Sequence, residues 1–153
     1  MSALTFTLKT SPAQRVDCSP LTADKLADKT AAEIAAITLV VGNQKVRTDE
    51  IFDIQGEDVT NIHFAKATDK LDHIGHAMAT GKITVDGDAG AYLGQFMAAG
   101  DIVINGNSGV YTACEMKGGT IKINGNAGDF LGGARIGYKN GMTGGTVIVT
   151  GNT

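Results

Sequence analysis

From Gly81 to Asn152 the apolar positions come in four short alternating runs, each opened by a glycine. Ile83 and Val85, Ile102 and Ile104, Ile121 and Ile123, and Val147 and Val149 mark the runs. Alternation of β-branched residues with period two predicts a short half-buried strand in each. The runs recur regularly. Gly81, Gly100 and Gly119 lie 19 residues apart, as do Gly87, Gly106 and Gly125. The fourth run opens at Gly145, 26 residues after Gly119, so the third copy carries an insertion of 26 − 19 = 7 residues. A turn follows each of the first three runs: Gly87-Asp88-Ala89-Gly90, Gly106-Asn107-Ser108-Gly109 and Gly125-Asn126-Ala127-Gly128. Gly and Asn tolerate positive φ, so these read as tight corners, costly for a β-branched substitute. Tyr92, Tyr111 and Phe130 come next in register, and Met78, Met97 and Met116 keep the same spacing.

One such unit has too few apolar side chains to form a core alone. Units of equal length cover one another if Ile83 lies over Ile102 and Ile121, and Tyr92 over Tyr111 and Phe130. The predicted fold is therefore mainly β: a parallel right-handed β-helix with a small α+β N-terminal cap. Residues 1–50 are assigned to the cap and 51–153 to the glycine-repeat β-helix, expected to be truncated at its C-terminus.

The N-terminal third follows other patterns. Leu4, Phe6 and Leu8 alternate with polar residues as a strand, and Arg15 to Pro20 reads as a loop. Thr22 opens a short helix through Leu26, and Thr30 with Glu33 forms a capping box for a helix near residues 31–36. Ile37 to Val41, a Gly42-Asn43 turn and Gln44 to Arg47 read as a hairpin. Phe52, Ile54 and Gly56 look like a degenerate copy of the repeat, and Ile62 and Phe64 like the start of another.

Composition narrows the chemistry. A net charge of −3 leaves no basic footprint for nucleic acid. No segment has a secretory layout or a membrane-length apolar run. Cys18 and Cys114 read as reduced thiols of a cytoplasmic protein. The glycines repeat in every unit, unlike a phosphate-binding loop that opens one helix after one strand. His73 and His76, near Asp69 and Asp72 with His63 as a third ligand, make a poor metal site because no cysteine joins them. Ser108 has no nucleophile elbow. Asp86, Asp88 and Asp101 fall on solvated faces. Arg135 and Lys139 in the insertion are the candidate contact for an anionic partner, a solubilising loop being the blander reading.

The pattern Gly87-x-x-Gly90-x-x-x-Gly94, repeated as Gly125-x-x-Gly128-x-x-x-Gly132, resembles the glycine-repeat β-helix that closes the large subunit of glutamate synthase. The same domain forms the C subunit of formylmethanofuran dehydrogenase and of the bacterial formyltransferase/hydrolase complex. The middle copy departs, with Ala113 where the last glycine stands. Arg15-Val16-Asp17 and the short helix look more like the C subunit than glutamate synthase, and lean towards the bacterial complex.

The resemblance implies a non-catalytic scaffold subunit with no catalytic residue, metal or cofactor of its own. Its structural corners are Gly87, Gly90, Gly94, Gly106, Gly109, Gly125, Gly128 and Gly132. The implied partners are formyltransferase and amidohydrolase-like subunits, using zinc and a methanofuran-type carrier. In such a complex a formyl group passes from formyl-tetrahydromethanopterin to the carrier and leaves as formate. Alternatives are a subunit of archaeal formylmethanofuran dehydrogenase, a spacer like that of glutamate synthase, and a carbohydrate-active enzyme.

Overall fold

A computed structural model describes residues 3–9, 14–113, 116–128 and 144–151. Its elements run β1 (Ala3–Leu8), β2 (Val16–Asp17), α1 (Ala23–Leu26), α2 (Ala31–Ala35), β3 (Thr38–Val41), β4 (Gln44–Arg47) and α3 (Thr48–Ile51). Then come β5 (Phe52–Gln55), β6 (Asp58–Ala67), β7 (Leu71–Asp72), β8 (Lys82–Gly87), β9 (Asp101–Ile104), β10 (Thr120–Ile123) and β11 (Thr146–Val149).

The expected parallel right-handed β-helix with a separate cap is not what these residues form. They form two mixed sheets: seven strands in the order β11-β10-β9-β8-β6-β1-β5, and four in the order β4-β3-β2-β7. The N-terminal strand is the reason. β1 does not lie across the end of a finished stack; it sits within the large sheet, parallel to β6 and antiparallel to β5. Phe52 and Ile54 therefore belong to an antiparallel edge strand and not to a degenerate repeat. Each described repeat gives the large sheet one strand, β8, β9 or β10, and continues as turns.

Within the sheet the repeats pair in register. Ile83 lies opposite Ile102, Ile102 opposite Ile121, and Ile121 opposite Val147. The inward positions Ile83, Val85, Ile102, Ile104, Ile121 and Ile123 are fully buried, and so are Met78, Met97 and Met116 beneath the turns. Main-chain bonds join neighbouring repeats in the turns as well as the strands: Gly94 N–H donates to Ile74 O at 2.8 Å and Ala113 N–H to Leu93 O at 2.7 Å. The glycines that open the strands, Gly81, Gly100, Gly119 and Gly145, have φ of +83°, +95°, +85° and +88°. That left-handed conformation favours a residue without Cβ.

The N-terminal part packs differently. Phe6, Phe52 and Phe64 are fully buried around one another, with Phe6 and Phe64 stacked at 5.4 Å. Thr30 caps α2 through a complete capping box with Glu33. The stretch from Arg15 is not all loop, because Val16 and Asp17 pair with Leu71 and Asp72. Among the described residues no helix is long and apolar enough to cross a membrane.

Candidate functional site

The turns between β7 and β10 project a continuous row of rings. His73 stacks on Tyr92 at 5.1 Å with planes 4° apart, and Tyr92 stacks on Tyr111 at 5.3 Å, again 4° apart. His76 meets His73 edge-on at 5.7 Å, and Phe96 meets His76 at 5.6 Å. All five rings are half-buried. The 19-residue period causes the stacking, since His73, Tyr92 and Tyr111 occupy equivalent places in successive repeats. Phe130, the next in the series, lies outside the described residues.

The backbone beneath these rings is strained. His73, Tyr92, Phe96 and Tyr111 have φ of +59°, +60°, +59° and +58°. The left-handed region costs a non-glycine residue on the order of 1–3 kcal/mol. Seven described non-glycine residues adopt it, and four of them carry rings of this row. The segments 73–80, 91–99 and 110–113 contain no Lys, Arg, Asp or Glu, and Val110 among them is 42% exposed. Burial holds the His76 imidazole below its ordinary range, aided by repulsion from Lys25 and His73 and opposed by Asp17 and Gln95. Nδ1 of His76 and Nε2 of the buried Gln95 have no hydrogen-bond partner.

The other residues singled out from sequence have structural duties. Arg15 grips Asp72 at both oxygens, with Nε–Oδ2 and Nη2–Oδ1 at 2.6 Å, and donates to Asp69 O at 2.8 Å. Ala91 N–H donates to the same Asp72 Oδ1. The Asp72 carboxylate holds the guanidinium above its ordinary range. Asp72 is thus committed to a clamp between the N-terminal loop and the first repeat turn. His63 lies on the outward face of β6 opposite Thr84. Among the described residues no three His, Cys, Asp or Glu side chains converge as a metal site. Burial raises the Cys18 thiol well above its ordinary range, so it stays protonated. Ser108 is buried and accepts from Thr112 Oγ1 at 2.8 Å. Cys114 lies outside the described residues.

Asp86 and Asp88 head two polar ladders. Asn105 Nδ2 donates to Asp86 Oδ1 at 2.8 Å, and Asn124 Nδ2 donates to Asn105 Oδ1 at 3.0 Å. The first member need only accept, which suits Asp; the next must donate and accept, which requires an amide. Alongside, Asn107 N–H donates to Asp88 Oδ1 and Asn126 N–H to Asn107 Oδ1, both at 2.8 Å. Asp and Asn at 19-residue spacing are the sequence signal for these ladders.

The corner glycines serve two ends. Gly87 and Gly94 have φ of +131° and +69°. Gly90, Gly106, Gly109, Gly125 and Gly128 lie outside the left-handed region and are needed for space. A Cβ on Gly109 would stand 2.7 Å from the Gly90 carbonyl carbon, and one on Gly128 equally close to that of Gly109. Gly132, Arg135 and Lys139 lie outside the described residues.

Two further surfaces are available. A cleft of about 430 Å³ between α2 and β5 has Leu4, Ile34, Phe52 and Ile54 in its walls, with Lys9, Lys29, Asp53 and Glu57 among its lining. The outward face of the large sheet runs Thr5, His63, Thr84, Val103, Lys122 and Ile148 across the strands, beside Lys82 and Asp101.

No protein-family model matches the chain. Two curated proteins do, both named as the C subunit of tungsten-containing formylmethanofuran dehydrogenase 2, from Methanococcus maripaludis. They are 36% and 34% identical to it over 95 residues, which is 61% of this chain and 35% of each relative. Among solved structures, a chain of the formyltransferase/hydrolase complex (FhcABCD) from Methylorubrum extorquens, in complex with methylofuran, superimposes with a TM-score of 0.91 at 31% identity. That likeness covers 96% of this chain and 56% of the other. The chain thus spans about a third of the curated relatives it matches and little over half of the solved one. The resemblance to the C subunit read from the glycine pattern is shown by these matches.

Proposed function

We propose that this chain is a non-catalytic scaffold within a one-carbon complex of the formyltransferase/hydrolase type. In this reading it works in the cytoplasm beside formyltransferase and amidohydrolase-like subunits and binds no cofactor itself. The partners act on formyl-tetrahydromethanopterin and a methanofuran-type carrier, and the hydrolase supplies the zinc. The observation that carries the reading is the TM-score of 0.91 over 96% of the chain against a chain of such a complex. The polar residues that could have carried chemistry fit it, since Asp72, Asp86, Asp88 and Ser108 are engaged with protein partners.

The test is formate release from formyl-tetrahydromethanopterin and carrier. The isolated chain is expected to release none. Transferase and hydrolase chains co-expressed with it are expected to co-purify with it and turn over. Turnover by the chain alone, or failure to co-purify, contradicts the reading. A second reading, a subunit of a formylmethanofuran dehydrogenase, is favoured by the 36% identity to a protein of that name. Tungsten or molybdenum in stoichiometric amount in the purified assembly would select it.

A further inference from the structure

We propose that Asn105 and Asn124, each followed by glycine, are sites of spontaneous deamidation, and that the side-chain ladder running from Asp86 sets their order, Asn124 before Asn105.

The reactive bond is a by-product of the corner. Gly106 and Gly125 open the corners after β9 and β10, and a Cβ on either would stand 2.5 Å from a carbonyl oxygen of the preceding repeat, Gly87 O or Gly106 O. The fold therefore places glycine directly after each of these ladder asparagines. Glycine has no side chain to shield its amide nitrogen, and its backbone bends freely towards the residue before it. Among the described residues neither the Gly106 nor the Gly125 N–H donates to a main-chain oxygen. Both asparagines are exposed, so water and hydroxide reach them. In the reaction the glycine nitrogen loses its proton to solvent and bonds to the asparagine Cγ. The Cγ–Nδ2 bond breaks, and ammonia leaves with a proton taken back from solvent. Water then opens the cyclic imide to aspartate or isoaspartate. One water is consumed and one ammonia released, with no change of oxidation state.

The local sequence is Ile-Asn-Gly-Asn at both sites, so a difference in rate belongs to the fold. The two backbones are tied alike: Asn105 N–H donates to Val85 O and Asn124 N–H to Ile104 O, each at 2.9 Å. The side chains are not. The Asn105 amide is held at both ends, with Nδ2 donating to Asp86 at 2.8 Å and Oδ1 accepting from Asn124 at 3.0 Å. Asn124 is held at Nδ2 alone among the described residues. Thr150, next in the register of β10 with β11, turns its hydroxyl to Ile123 O instead. Closing the imide ring swings Cγ out of the ladder, so Asn105 must give up one bond more, and that bond is to a carboxylate. A hydrogen bond to a charged group slows the swing roughly tenfold. Asn107 and Asn126 are exposed as well, but Ser108 and Ala127 follow them, and a side chain there shields the attacking nitrogen. Asn140-Gly141 lies outside the described residues.

The experiment incubates the full-length chain at mildly alkaline pH and follows each asparagine by peptide mapping that resolves aspartate from isoaspartate. Three samples are compared: the folded parent, the parent unfolded in urea, and folded Asp86→Ala, whose cooperative melting verifies its fold. In urea Asn105 and Asn124 should convert at the same rate. In the folded parent Asn124 should convert about tenfold faster than Asn105, and Asp86→Ala should close that gap by speeding Asn105. Equal rates in the folded parent, or Asn105 first, overturn the order. An unchanged Asn105 in folded Asp86→Ala overturns the ladder as its cause. Two sites that stay intact in the folded parent while the unfolded chain converts overturn the proposal as a whole. Conversion of Asn107 or Asn126 as fast as Asn124 overturns the part assigned to glycine.

Discussion

Residues 3–72 and residues 73–128 contribute to one sheet by different means. In the first region the large-sheet strand β1 meets partners far away in sequence: it lies between β5 and β6, about 50 residues on. Side-chain identity holds that region together through three mutually packed phenylalanines and a capped helix. In the second region the strands and turns pair with their counterparts 19 places away. There the geometry of the repeat matters more than any one side chain, and a fault is shared by the repeats on either side. Aperiodic packing concentrates stability at a few positions, whereas periodic packing spreads it along glycine and amide rows.

Mutations that act on one region should sharpen this contrast. Phe64→Ala should have the largest effect, about 3–5 kcal/mol in chemical denaturation, because a fully buried ring leaves a cavity between Phe6 and Phe52. Gly109→Val follows at about 3 kcal/mol, because the added carbon meets the Gly90 backbone. Gly109→Asn is expected to give no rescue. Rescue by Asn, which accepts positive φ, would show that conformation and not space is the requirement. Arg15→Ala, which frees the Asp72 carboxylate that also accepts from Ala91 of the second region, should cost about 1 kcal/mol, since the guanidinium is half exposed and screened.

Asn105→Asp should cost less than about 1 kcal/mol. It removes the donor to Asp86 and sets two carboxylates side by side, so added salt should recover part of the loss. The smallest effect is on pH dependence. The folded state holds His76 below its ordinary range, so the unfolded chain binds more protons there. Stability from this residue is complete above the ordinary imidazole range and falls as pH drops through it, until the folded-state value is passed. His76→Phe should flatten the melting-temperature profile between about pH 5 and 7.5.

The repeat is legible because its register is written in single residues. Gly81, Gly100 and Gly119 announce the strand starts, and Ile83, Ile102 and Ile121 the buried row. The Thr30–Glu33 capping box is equally local. What stays hidden is non-local. Nothing in Leu4-Thr5-Phe6 says that β1 inserts between β5 and β6, so the N-terminal segment reads as a separate cap and the whole as a parallel β-helix. Val16-Asp17 reads as loop because two residues carry no period. The ring row is half visible, with Tyr92 and Tyr111 in register. His73 reads as a weak metal ligand although it occupies the same place one repeat earlier. The positive φ under Tyr92, Phe96 and Tyr111 has no signal at those residues themselves, because Tyr and Phe are not residues that turns select.

The most direct test of the in-register pairing is cysteine cross-linking across the outward sheet face, where Thr84 lies opposite Val103 and Val103 opposite Lys122. The account predicts that Thr84→Cys with Val103→Cys cross-links in the folded chain, while Thr84→Cys with Lys122→Cys, two strands apart, does not. Equal cross-linking of both pairs would contradict it.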